Sequence, residues 1–156
     1  GRFARGRALR SAMDDADVMT ILADPRVFVA SDVSAVSPTG PGGDLPVHPR
    51  NYGTFPRALA LTRDRDLQRL ESVVAKMTSL PADRFGLTGR GRVSVGGFAD
   101  LVLIDPLGVQ DTATFDNPHG FPTGIHSVVV NGSIAWQTNK PDAIARHGRA
   151  LPSNHR

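Results

Sequence analysis

The apolar residues of this chain change period at about Gly89, and that change most narrows what the chain can fold into. Upstream, Leu67, Leu70, Val73, Val74 and Met77 fall on one side of a helix. Downstream, Gly89, Gly91, Gly96 and Gly97 punctuate short β-like runs, Val93–Val95, Leu101–Ile104 and Ser127–Val130. Asn131-Gly132 behind the last run signals a tight hairpin and pairs Val128–Val130 with Ser133–Trp136. A helical part joined to an all-β module is therefore expected, trailed by a polar segment from Lys140 to Arg156 that is a short helix or loosely ordered.

The helical part opens with Ser11, Asp14, Asp15 and Asp17, which suit a helix N-terminus, and Val18, Ile21 and Leu22 repeat at helical spacing. Asp24-Pro25 ends that helix, because the residue before proline avoids the helical region. Val27–Ala30 is a continuous apolar run that suits a parallel strand buried on both faces. Helix then buried strand is the repeating unit of an α/β fold. After Ser31-Asp32, the stretch from Val33 to Pro49 is rich in Gly, Pro and Ser and reads as a long loop. A loop directly after a buried parallel strand is where α/β folds place their chemistry. Helical patterning resumes from Thr54 to Met77, with Arg63–Asp66 a solvated turn between two pieces, and Pro81 and Gly86 close the section.

Composition removes several functions. Cysteine is absent, so neither a disulfide framework nor a thiolate metal site is available, and a metal would rest on His, Asp, Glu or a modified Lys. The net charge is +3, yet beyond the first ten positions the basic residues are scattered, with Tyr52 and Trp136 the only large amphipathic rings. That pattern speaks against a nucleic-acid surface. No apolar run approaches the roughly 20 residues of a membrane span. The start at Gly1, with Arg2, Arg5, Arg7 and Arg10 but no apolar stretch, is not a signal peptide. A cytoplasmic protein is expected, with a processed start or further residues upstream.

Three groups of segments together resemble one family, the amidohydrolases, and within it the D-aminoacylase (N-acyl-D-amino-acid deacylase) group. Met13 to Val18, through Ile21, Leu22 and Pro25 to Ser31-Asp32, resembles the helix and eighth barrel strand ending in Ser-Asp. His48-Pro49-Arg50 with Gly53-Thr54-Phe55-Pro56-Arg57 resembles the narrower signature of the deacylases. Lys76-Met77-Thr78-Ser79-Leu80-Pro81, Ala99-Asp100-Leu101-Val102 and Val130-Asn131-Gly132 resemble the closing helix and a small β-sandwich. One departure is Val33, where the family typically has glycine after the strand-eight aspartate.

The resemblance implies an α/β fold, the C-terminal part of a (β/α)8 TIM-type barrel over residues 1–88, then a β-sandwich over 89–140 and a tail over 141–156. It implies a zinc-dependent hydrolase of the amide bond of N-acyl-D-amino acids. Asp32 would be the catalytic carboxylate and a metal ligand, and Arg50 the group that binds the substrate carboxylate. The residues alone leave Asp32 open between a catalytic role at a strand end and a turn cap, and Arg50 between a carboxylate fork and a surface loop arginine.

His48 reads as positional rather than as a ligand, and His119, His126, His147 and His155 lack ligand spacing. Asp100 and Asp105 read as turn or cap residues, and Phe98, Phe115 and Trp136 as core. The remaining metal ligands are expected upstream of Gly1, in a barrel half of the same or another chain. This chain alone would then be incomplete and inactive, and association into homo-oligomers is open. Two alternatives stand beside this reading: a non-catalytic β-sandwich scaffold, and an amidohydrolase of cyclic-amidase or dihydroorotase-like specificity.

Overall fold

The computed structural model describes residues 13–34, 39, 47–140 and 146–151, which form four helices followed by three strands. Most of the expected Val33–Pro49 loop, Ser11, and much of the tail lie outside the described residues. The first helix, α1, spans Asp15–Ala23; Asp14 caps it by accepting the Asp17 N–H at 2.9 Å, and Asp24 stops it before Pro25. Val27–Ala30 is not a strand among the described residues. Its N–H groups at Val27 and Val29 donate to the carbonyls of Asp24 and Lys76, each at 3.2 Å, and Phe28 is partly exposed. An apolar run becomes a parallel strand only when strands on either side take up its backbone groups.

Three helices follow: α2 (Arg50–Asp64), α3 (Leu70–Met77) and α4 (Ser79–Arg84). α2 starts four residues before the expected Thr54, with Pro49 as its cap. Proline suits a helix start because the N–H it lacks would have no partner there. Pro81 sits inside α4 rather than ending the section, and Gly86, at φ 65°, closes it. Arg63 is not a solvated turn residue: its guanidinium donates to the carbonyls of Leu107 (3.0 Å) and Val109 (2.9 Å) and ties α2 to the β module. The core gathers Ala58 and Leu59 of α2, Val73 of α3 and Val109 beyond the first strand, with Leu22, Val29, Met77 and Ile104 packed against it. One core thus joins helices and sheet. Of the expected α3 stripe, Val73 is fully buried while Leu70 and Val74 lie at its edges.

Lys76 is the surprise of this core. It is 2% exposed, and its ammonium donates to the carbonyls of Leu22 and, at 2.6 Å, Asp24. These carbonyls end α1, where a helix leaves its last acceptors unpaired and favours a cation. Burial pulls the Lys76 pKa below its ordinary value.

The sheet is antiparallel in the order β1 (Leu101–Ile104), β2 (Ile125–Val130), β3 (Ser133–Gln137). Asn131 (φ 48°) and Gly132 (φ 81°) form the expected turn, both in the left-handed region that such two-residue hairpins need. Val93–Val95, expected as a strand, is not one: Val93 is 88% exposed, and Gly97 N–H turns back to Ser94 C=O at 3.1 Å. β-branched residues favour strands only where a neighbouring strand packs them. Phe98 and Phe115, expected in the core, are largely exposed, whereas Trp136 is half-buried. The described residues supply one sheet, and Leu101, Val102 and Leu103 leave apolar surface open on both of its faces. No helix of the described residues is long and apolar enough to cross a membrane.

Asp100 does more than cap a turn. It accepts the Asn131 N–H at 2.8 Å and pairs with Arg90, which also donates to the Asn131 side chain at 2.8 Å and lies 4.1 Å over the Phe98 ring. The Asn131 N–H first, and then Arg90, hold the Asp100 carboxyl below the usual carboxylate range. A folded pKa below the unfolded one gives stability that is present above the unfolded value and lost as pH falls through the folded one. Asp100→Asn should therefore lower the unfolding temperature at neutral pH, and that deficit should shrink below about pH 4, near the unfolded carboxylate value. Thermal scans of both proteins against pH check this; a deficit that holds constant into acid assigns the loss to something other than the carboxylate.

Candidate active site

Asp32 follows the Val27–Ser31 segment with φ 50°, a conformation L-residues rarely adopt and that Asp tolerates better than most. Such backbone outliers concentrate where a side chain must be aimed. Arg50 opens α2, and its guanidinium meets the Asp32 carboxylate at 3.0 Å, across a sequence gap spanned by the loop. The two predicted site residues are thus brought together. Their side chains are 87% (Asp32) and 46% (Arg50) exposed, so the pair is worth about 0–1 kcal/mol and exchanges readily for another partner.

Arg50 lines a cleft of about 990 Å³ together with Ala30, His48, Thr54, Arg57 and Phe115. His48 Nδ1 accepts the Arg50 N–H at 3.1 Å, and its ring meets Phe115 edge-on at 5.2 Å. Burial first, and the nearby Arg50 charge second, lower the His48 pKa, which favours the neutral ring that this hydrogen bond requires. Deeper along α2, Arg57 pairs with the largely buried Asp111 at 3.5 Å. The Tyr52 hydroxyl lies 3.2 Å from His119 Nδ1, and the Tyr52 ring packs edge-on against Phe121. The connection between β1 and β2 therefore supplies one wall of the cleft.

Sequence reasoning missed that wall and the early start of α2. Pro49 was the available signal for the start. The wall had none, because it depends on a long-range approach of residues 111–121 to residues 48–57.

Among the described residues no three His, Asp or Glu side chains gather to hold a metal ion. A catalytic zinc takes three protein ligands, so these residues fall short of such a site, and Asp32 can lend it one carboxylate. What the arrangement offers chemically is a carboxylate able to accept a proton beside a guanidinium able to bind an anion.

A D-aminoacylase of Alcaligenes xylosoxydans xylosoxydans is 49% identical over 131 residues, 83% of this chain and 26% of that protein. An N-acyl-D-aspartate deacylase of the same organism is 40% identical over 157 residues, 97% of this chain and 30% of that protein. The crystal structure of an N-acyl-D-glutamate deacylase from Bordetella bronchiseptica, complexed with zinc and a phosphonate inhibitor that mimics the tetrahedral intermediate, superposes with a TM-score of 0.76. It is 39% identical, over 89% of this chain and 28% of that one. The chain thus spans between a quarter and a third of the length of these relatives. The model of the amidohydrolase family matches residues 2–135, through the helices, the Asp32–Arg50 pair and the hairpin alike, and the chain belongs to that family.

Proposed function

We propose that this chain is the closing part of a zinc-dependent hydrolase that cleaves the amide bond of N-acyl-D-amino acids, releasing a carboxylate and a D-amino acid. The observation that carries the reading is the Asp32–Arg50 pair beside the cleft, in a chain similar to three kinds of D-amino-acid deacylase. Zinc, when bound, lowers the pKa of a water to about 7 and so supplies a nucleophile. Asp32 takes the proton of the attacking water and returns it to the leaving amine, and it lends one carboxylate to the metal. Arg50 binds the substrate carboxylate through its planar fork. In exchanging Asp32 for the substrate it releases the carboxylate that must act.

The remaining metal ligands would come from an upstream barrel half, for which the apolar surface at Met13, Ile21 and Phe28 is a suitable seat. Residues 1–88 would end the (β/α)8 barrel. Residues 89–140 would give their sheet to a β-sandwich module whose second layer comes from elsewhere in the whole protein and covers apolar surface of β1, and residues 141–156 would form the tail. A cytoplasmic location and assembly of like chains belong to the same proposal.

Arg50→Lys in the full-length enzyme tests the substrate assignment, because it keeps the charge and loses the fork. It should raise KM for substrates with a free carboxylate by about tenfold, the size of one charge-assisted hydrogen bond. Wild type should also lose activity on a substrate whose carboxylate is replaced by an amide, and the variant should discriminate far less between the two. Equal discrimination by both proteins would remove Arg50 from carboxylate binding, and the specificity assignment would fail with it.

A further inference from the structure

The Arg50 backbone is held by a side chain that the proposed chemistry does not use. A guanidinium sits at the end of a long, flexible arm, and it grips a carboxylate bidentately only if the base of that arm is fixed. Arg50 is the first residue of α2, so its N–H is one of the donors a helix start leaves unpaired. His48 Nδ1 takes that N–H at 3.1 Å. His48 is in turn seated edge-on against Phe115, ring centroids 5.2 Å apart and planes at 80°, on the connection between β1 and β2. On the far side of the same turn, the Asn51 side chain donates to the Ser34 carbonyl at 3.3 Å, two residues beyond Asp32. The start of α2 is thus anchored both to the β module and to the segment that carries Asp32.

We propose that His48 is the positioning residue for Arg50: it accepts the Arg50 N–H and, braced on Phe115, fixes the guanidinium where a substrate carboxylate is received. The inference rests on the reading of Arg50 as the carboxylate-binding group. It assigns to the β module a part in substrate binding, through Phe115. Acidification would remove the Nδ1 acceptor, but the proposal depends on the geometry and not on the titration.

Two substitutions in the full-length zinc enzyme separate the acceptor from the packing. His48→Phe keeps a ring against Phe115 and loses the acceptor, while His48→Asn offers its side-chain oxygen close to where Nδ1 stands. With an N-acyl-D-amino acid and the matching carboxamide as substrates, His48→Phe should raise KM for the acid about tenfold, leaving kcat within about twofold and KM for the carboxamide unchanged. His48→Asn should return KM for the acid to within about threefold of wild type. Thermal unfolding of both variants separates a folding defect from a loss of positioning.

Three results would overturn the proposal: an unchanged KM in His48→Phe, a His48→Asn that is folded but as impaired as His48→Phe, or equal KM increases on both substrates. A wild type that does not discriminate acid from carboxamide sinks the Arg50 reading and this proposal with it. Discrimination by wild type combined with any of the three results sinks this proposal alone.

Discussion

Replacing Asp32 with Asn in the full-length enzyme is expected to lower kcat by about 10²- to 10⁴-fold while the fold and KM are largely kept. The amide matches the carboxylate in size and can still meet Arg50 through its oxygen, so the 3.0 Å contact loses charge but not shape. What the amide cannot do is take a proton. Because the Asp32 side chain is exposed and its ion pair is weak, the stability cost should stay below about 1 kcal/mol, and a large drop in unfolding temperature would mark Asp32 as structural instead. A variant that retains its metal, as read by elemental analysis, and still turns over at the wild-type rate would remove Asp32 from the chemistry. A variant that loses metal as well would give Asp32 the ligand role in addition.

The second large effect is on stability. Lys76→Glu should prevent the intact protein from accumulating in folded form, because it sets a buried negative charge against the Leu22 and Asp24 carbonyls that now face an ammonium. Lys76→Met should be far milder, costing about 1–3 kcal/mol. The methionine fills the same space, and each carbonyl keeps a second donor, the Gln68 side chain at Leu22 and the Val27 N–H at Asp24. Soluble yield and thermal unfolding of the two variants check the order. Equal and severe effects would mean that the fold depends on the ammonium itself and not on the sign of the charge that replaces it.

The parts of this fold that local chemistry specifies were legible in the sequence. Asp14 at the head of α1, the stop at Asp24-Pro25 and the Asn131-Gly132 hairpin each depend on groups within a few residues of one another. Misreadings arose where a residue's state is decided by distant chain. Val27–Ala30 has a strand's composition without a strand beside it among the described residues, and Val93–Val95 fails for the same reason. Lysine reads as a surface residue, so the burial of Lys76 against carbonyls 52 and 54 positions earlier could not be anticipated. Asp32 and Arg50 were each singled out on the chain, but their meeting depends on how the intervening loop closes. The wall from Asp111 to Phe121 carries no local mark at all, since it becomes one only when β1 and β2 pair and swing their connection toward α2.

Helix α2 holds Arg50 at one end and Arg63 near the other, clamped onto the carbonyls that follow β1. Its 15 residues make a rod about 22 Å long at 1.5 Å per residue. Pivoted at the Arg63 end, such a rod converts a tilt of about 3° into roughly 1 Å at its tip, a misplacement that can slow an enzyme about 10²-fold. The β module is then a mechanical ground for the end of the helix that carries Arg50. Softening it, by mutation or by heat, would show first as lost catalysis and only later as lost structure.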